Sequence, residues 1–161
     1  LLGQIIDSFC IDGRSGVGLP LGNLTSQLFV NVYMNVFDQF VKRKLKARHY
    51  IRYADDFVIL HPDRTYLEGI LPGIVAFLKK ELRLSLHPGK IRVKTVASGV
   101  DFLGWVHFPD HRVLRTATKK RMFRKLRENP NNESVASYLG LLKHGNTHKV
   151  QQSMPSVAPR K

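Results

Sequence analysis

Cysteine is nearly missing from this sequence: Cys10 is the single one in 161 residues. One thiol excludes an internal disulfide and a zinc site built on cysteines, and it suits a reducing, cytoplasmic setting. Acidic residues are also scarce. Twelve Asp and Glu stand against 26 Lys and Arg, giving a formal charge of +14 and a pI near 10.3. That balance favours a polyanionic partner, with nucleic acid ahead of an anionic membrane surface. No apolar run approaches the length that spans a bilayer, so no membrane role is expected. The apolar start Leu1-Leu2-Gly3-Gln4-Ile5-Ile6 lacks the basic flank and long core of a secretory signal. The chain does not begin with Met and is read as a segment of a longer protein.

A hydrophobic content of 43% is that of a globular chain. The length allows one domain with a real core or pieces of two small ones. The central stretch is Tyr50 to Leu60, YIRYADDFVIL. Tyr50 to Tyr53 and Phe57 to Leu60 are rich in β-branched and aromatic residues, and they flank Asp55 and Asp56, which predicts a hairpin with carboxylates at its tip. Two carboxylates held close each raise the other's pKa unless a cation neutralises them. Their oxygens are the hard ligands that Mg²⁺ takes along with water and substrate phosphates. The competing reading is a polar turn, in which aspartate is common for local hydrogen-bonding reasons.

Upstream, Leu2, Ile5, Ile6 and Phe9 have helical spacing, with Asp7 on the polar side as a solvated charge, and Asp12-Gly13 and Ser15-Gly16 mark a loop. Gly18-Leu19-Pro20-Leu21-Gly22-Asn23-Leu24-Thr25-Ser26-Gln27 then sets an unusual backbone path. Such a turn opening a helix holds phosphate in some proteins and only connects elements in others. The long helix after it carries a broad apolar stripe, Leu28, Phe29, Val32, Tyr33, Val36, Phe37, Phe40, Val41 and Leu45. Asn31, Asn35, Asp38 and Gln39 lie off the stripe.

Past the hairpin, His61 to Arg64 read as a turn, and Thr65 with Glu68 has capping-box spacing. A helix runs to Leu82, kinked or divided at Pro72-Gly73. Leu84 to Lys90 and Ile91 to Val96 alternate as a second strand pair, with His87 in its turn. Gly99 to Val106 suit a tight hairpin containing Phe102-Leu103-Gly104-Trp105. Lys119 to Arg127, KKRMFRKLR, is a basic helix whose side chains either neutralise phosphates or are simply solvated. A second helix, Ser134 to Lys143, faces it with Val135, Tyr138, Leu139 and Leu142, and Gly145 is its stop. Gln151 to Lys161 reads as a mobile tail.

Tyr-Ala-Asp-Asp between two strands resembles the central signature of reverse transcriptases, and three further stretches resemble that family's motifs in order. Gly18 to Gln27 resembles the fourth motif, which contacts the templating base and incoming nucleotide. Leu84 to Lys90 resembles the sixth, and Phe-Leu-Gly-Trp resembles the seventh, the primer grip. The resemblance implies an α+β fold, the C-terminal half of a right-hand polymerase palm (antiparallel sheet with packed helices) followed by the start of a helical thumb. Its parts would be a partial palm over 1–110, the thumb start over 111–150 and a tail over 151–161. It implies template-directed nucleotidyl transfer on an RNA template, from dNTPs to the 3′ hydroxyl of a DNA or RNA primer, with two Mg²⁺ ions, or Mn²⁺ in their place. Asp55 and Asp56 would be metal ligands. Gly18, Leu19, Pro20, Leu21, Gly22, Asn23, Ser26, Gln27, Tyr53 and Ala54 would line the nucleotide and template site. Phe102, Leu103, Gly104 and Trp105 would form the primer grip, and Lys90 would serve as general acid or phosphate clamp if it is not simply an exposed lysine.

Two departures qualify the resemblance. The family's first catalytic aspartate lies upstream of the glycine loop, and Asp7 is too close to that loop to replace it, so these residues alone are expected not to polymerise. Many family members carry Gln-Gly in the loop and Ser-Pro at its end, where this chain has Leu21-Gly22 and Ser26-Gln27. That form resembles the error-prone enzymes of diversity-generating retroelements, implying a bacterial or phage gene and an accessory protein as a further partner. An apolar Leu21 near the templating base would relax selection, because hydrogen-bonded readout discriminates better than an apolar wall. The competing readings are a group II intron maturase-like or noncatalytic palm remnant that binds structured RNA, and a generic basic nucleic-acid-binding module.

Overall fold

The computed structural model describes residues 10–11, 14–15, 24–129 and 131–154. The chain divides into two compact units, Leu1–Val93 and Lys94–Lys161. The helix expected over residues 1–9 and the glycine-loop residues Gly18 to Asn23 lie outside the described residues.

In the first unit, Cys10–Ile11 (β1) pairs antiparallel with Arg14–Ser15 (β2) where a loop was expected. Leu24–Gln39 forms α1, and its last stretch, Phe40–Lys44, widens into a π-helical turn closed by the Leu45 N–H on the Phe40 carbonyl. His49–Tyr53 (β3) and Asp56–Leu60 (β4) form the expected hairpin, with Tyr50 opposite Ile59 and Arg52 opposite Phe57. Tyr50, Phe57 and Ile59 pack against the buried residues Met34, Phe37 and Val41 of this segment and Ile74, Leu78 and Leu82 of the following helix. The aromatic centre is tight: Phe37 meets Phe57 edge-on at 4.9 Å between centroids, and Phe40 stacks on Phe77 at 4.0 Å.

That following helix, α2, runs Arg64–Leu82 without a break, carrying Pro72 inside it. Its cap also differs from the expected Thr65/Glu68 box. Asp63 is the N-cap, accepting from the Thr65 N–H at 2.8 Å, and Glu68 pairs with Arg64 instead. The α1 stripe is only partly buried: Leu28, Val32, Tyr33 and Val36 are at least half exposed, while Met34 is in the core. The strand pair expected over 84–96 is not formed. Residues 88–90 and 96–98 make short 3₁₀ turns, and residues 84–87 and 91–95 pair with no strand among the described residues. Alternation places side chains on two sides, but a strand also needs a ladder partner, and among the described residues none meets this segment.

The second unit is built on a three-stranded meander, Val100–Phe102 (β5), Trp105–His107 (β6) and Arg112–Leu114 (β7). The first hairpin was expected; β7 was not. Thr116–Glu128 (α3) and Asn132–Leu142 (α4) follow, close to their predicted bounds, with Asn131 capping α4 through the Ser134 N–H. Trp105 and Leu114 are cross-strand partners and share one core with Met122, Leu126, Val135 and Leu142. The hairpin grouped with residues 1–110 in the sequence reading thus shares its core with the helices after it. His148–Gln152 (α5) takes in the first two residues of the expected tail, and residues 155–161 lie outside the description.

Candidate active site

The β3–β4 register decides what the hairpin tip presents. Tyr53 is opposite Asp56, which leaves Ala54 and Asp55 as a two-residue turn. Strand period two places Tyr50 and Arg52 with Phe57 and Ile59 on the helix-facing side, and Ile51, Tyr53, Asp56 and Val58 on the other. Ile51 and Tyr53 are more than half exposed, and the Asp55 and Asp56 residues are open to solvent. Ala54 adopts a left-handed φ of 52°, unusual for a residue with a Cβ. Leu103 at the tip of the β5–β6 hairpin is the same, φ 52°, followed by Gly104 at 81°. Positive φ at both central residues is what a type I′ hairpin turn requires.

Arg52 bridges the Ala54-Asp55 turn to α1. It makes a bidentate ion pair with Asp38 and also donates to the carbonyl of Ala54. The Tyr50 hydroxyl donates to the same Asp38 carboxylate at 2.7 Å. The Arg52 guanidinium, outweighing the effect of burial, holds the Asp38 carboxyl below the usual carboxylate range. Burial, followed by the Asp38 hydrogen bond, pushes the Tyr50 phenol well above its ordinary value. In the sequence Asp38 stood merely off the apolar stripe, and Arg52 was one more strand residue. The available signal was alternation: a charge on the same strand side as Tyr50, Phe57 and Ile59 requires a buried partner.

The two carboxylates fit a divalent ion by their chemistry, since Mg²⁺ is held by one or two carboxylates and draws the rest from water and phosphate. Among the described residues, no group of three or more His, Cys, Asp or Glu side chains comes together. Lys90 closes the 88–90 turn and is exposed. Ser26 and Gln27 lie in the first turn of α1, Gln27 exposed; the remaining loop residues are outside the description.

The second unit holds the other expected site residues. Trp105 is buried, Phe102 is half-buried, and Leu103 at the tip is 48% exposed. The Arg115 N–H donates to the Gly104 carbonyl at 3.0 Å, and Arg115 pairs with Asp101, so the start of α3 braces this turn. Arg112 stands over the Trp105 ring and donates to the His144 carbonyl. On α3, Lys119, Lys120, Arg121, Arg124, Lys125 and Arg127 all face solvent, while Met122 and Leu126 point into the core. No helix among the described residues is long and apolar enough to cross a membrane.

Protein YkfC of Escherichia coli (strain K12) is 28% identical over 134 residues, an alignment covering 63% of this chain and 34% of YkfC, so the chain spans about a third of that relative's length. Residues 14–107, more than half of the chain and including the whole Asp55 hairpin and the β5–β6 turn, match the profile described as reverse transcriptase (RNA-dependent DNA polymerase). The chain belongs to the reverse transcriptase family.

Proposed function

We propose that these residues supply the carboxylate hairpin of the palm and the first part of the thumb of an RNA-directed DNA polymerase. The observation that carries the reading is the β3–β4 tip, with Asp55 in the turn and Asp56 leading β4 on the open face, inside a segment that matches the family. Asp55 is the principal metal ligand and Asp56 its supporting partner. A bound Mg²⁺, or Mn²⁺ in its place, supplies Lewis-acid activation of a primer 3′ hydroxyl and neutralises charge on the incoming triphosphate. The chain's own part is placement. Tyr53 and Ala54 border the primer and nucleotide site, the exposed Leu103 turn bears on the growing 3′ end, and the basic face of α3 neutralises backbone phosphates. Lys90 serves as a phosphate clamp. The Leu21-Gly22 loop, with Ser26-Gln27 at its end, favours an error-prone retroelement enzyme copying an RNA template.

The test uses a longer polypeptide containing these residues and the family's upstream palm aspartate. With primed RNA, dNTPs and Mg²⁺, it extends the primer; Asp55→Asn abolishes extension and leaves RNA affinity within about twofold, since phosphate contacts lie elsewhere. Extension that survives Asp55→Asn refutes the assignment. RNA binding without any extension by the unaltered polypeptide instead favours a noncatalytic RNA-binding palm.

A further inference from the structure

The turn that carries Asp55 is held from behind by a side chain three residues before it. Arg52 lies on the helix-facing side of β3, and its side chain is only 9% exposed. Four of its five N–H groups are engaged: Nε and Nη2 donate to the two Asp38 oxygens at 2.7 and 2.6 Å, and Nη1 donates to Asn31 Oδ1 at 3.1 Å and to the Ala54 carbonyl at 2.7 Å. Asn31 and Asp38 stand two helical turns apart on one side of α1. A single planar group therefore ties α1, the helix that follows the glycine loop, to the carbonyl immediately before Asp55.

This arrangement answers a local need. Ala54 sits in the left-handed region, which a residue with a Cβ enters at a cost, so the turn requires outside support to keep one conformation. Its carbonyl is the group that moves if the turn flips, and that carbonyl is the one Arg52 holds. The guanidinium is itself fixed by a bidentate carboxylate, a geometry that leaves it little rotational freedom.

On the polymerase reading of the hairpin, we infer that Arg52 is a positioning residue: braced by Asp38 and Asn31, it fixes the Ala54-Asp55 turn relative to α1 and so sets where the Asp55 carboxylate points. It touches no reacting atom in this role. The bracket depends on the fork and not on the charge, because a lysine ammonium has neither the planar pair of donors nor the span to reach helix and turn together.

Two measurements keep this inference separate from the polymerase reading. The first follows backbone amide resonances and hydrogen exchange of residues 54–56 in the 161-residue chain, with α2 amides as the folding control. Arg52→Lys, Arg52→Gln and the milder Asn31→Ala, which alters only an exposed helix side chain, are each expected to raise exchange at 54–56, by about tenfold or more in the arginine variants and less in Asn31→Ala, and in each case by clearly more than α2 exchange rises. Exchange at 54–56 that is unchanged in all three overturns the inference, and so does a loss of protection spread evenly over turn and α2 in all of them. The second measurement is kinetic, in the longer polymerase. Per active molecule, Arg52→Lys is expected to lower kcat by about ten- to hundredfold while KM for dNTP stays within about twofold, as for a misplaced reacting group. Full kcat in Arg52→Lys overturns the inference while the polymerase reading stands. If the unaltered polymerase extends no primer, that reading fails, and the exchange measurement still decides whether Arg52 holds the turn.

Discussion

Removing Asp38 strips the first unit of the acceptor on which two elements converge. In Asp38→Ala, Arg52 loses charge-assisted bonds of 2.7 and 2.6 Å, and the Tyr50 hydroxyl loses its 2.7 Å partner. The guanidinium, 9% exposed, stays behind without its counter-charge. Breaking one side of a fully buried pair costs about 3–5 kcal/mol. Asp38 is 22% exposed, so water reaches the vacated position, and the expected loss falls to about 2–3 kcal/mol. The assay must report the first unit alone. Trp105, the single tryptophan, belongs to the second unit, so its fluorescence serves as an internal control. Hydrogen exchange of the β3–β4 ladder in a urea series reports the first. The double variant Asp38→Leu with Arg52→Met is expected to recover at least about 1 kcal/mol relative to the sum of the single changes, because no unpaired charge remains. A loss below about 1 kcal/mol in Asp38→Ala, or strict additivity in the cycle, refutes the view that this ion pair fastens hairpin to helix.

The pH dependence of the same contact has a definite sign. Asp38 titrates lower when folded than when unfolded, so its stabilisation is complete above the unfolded value, about pH 4, and is lost as pH falls through the lower folded value. Asp38→Asn is expected to flatten that part of the acid-unfolding curve of the first unit. In the second unit, a Cβ at Gly145 would lie 2.2 Å from Trp105 Cζ3 and 3.0 Å from the Arg112 carbonyl, so Gly145→Ala is expected to cost about 1–3 kcal/mol by tryptophan fluorescence. Arg124→Ala, on the exposed face of α3, is expected to reduce the slope of log K against log salt for RNA binding by about one, with no change in sequence preference. In an active polymerase, Leu21→Gln is expected to lower misincorporation opposite adenine; an unchanged error spectrum counts against a role for Leu21 in base selection.

The elements readable from the chain were those that local patterning specifies. Alternation with a polar dipeptide is enough for the Asp55 hairpin, and Leu103-Gly104 between short apolar runs is enough for the second. Helical periodicity gave the ends of α3 and α4 to within about three residues, and the Asn131 cap of α4 was not anticipated. Where patterning needs a distant partner, the reading went astray. Residues 84–96 alternate as a strand does, yet no ladder forms there. Gly145, read as a helix stop, gives clearance to an indole contributed by β6.

By itself the sequence determined the family, through motifs in order, and the placement of Asp55 and Asp56 at a hairpin tip, because backbone period and turn chemistry act over a few residues. Only tertiary structure decided that Arg52 turns toward α1, that Asp38 and Asn31 meet it there, and that its fourth hydrogen bond falls on Ala54. Those choices depend on which face of a helix lies over which face of a hairpin. A buried guanidinium takes whatever acceptors that packing brings within about 3 Å, and residues 21 positions apart in the chain become neighbours only after the core has closed.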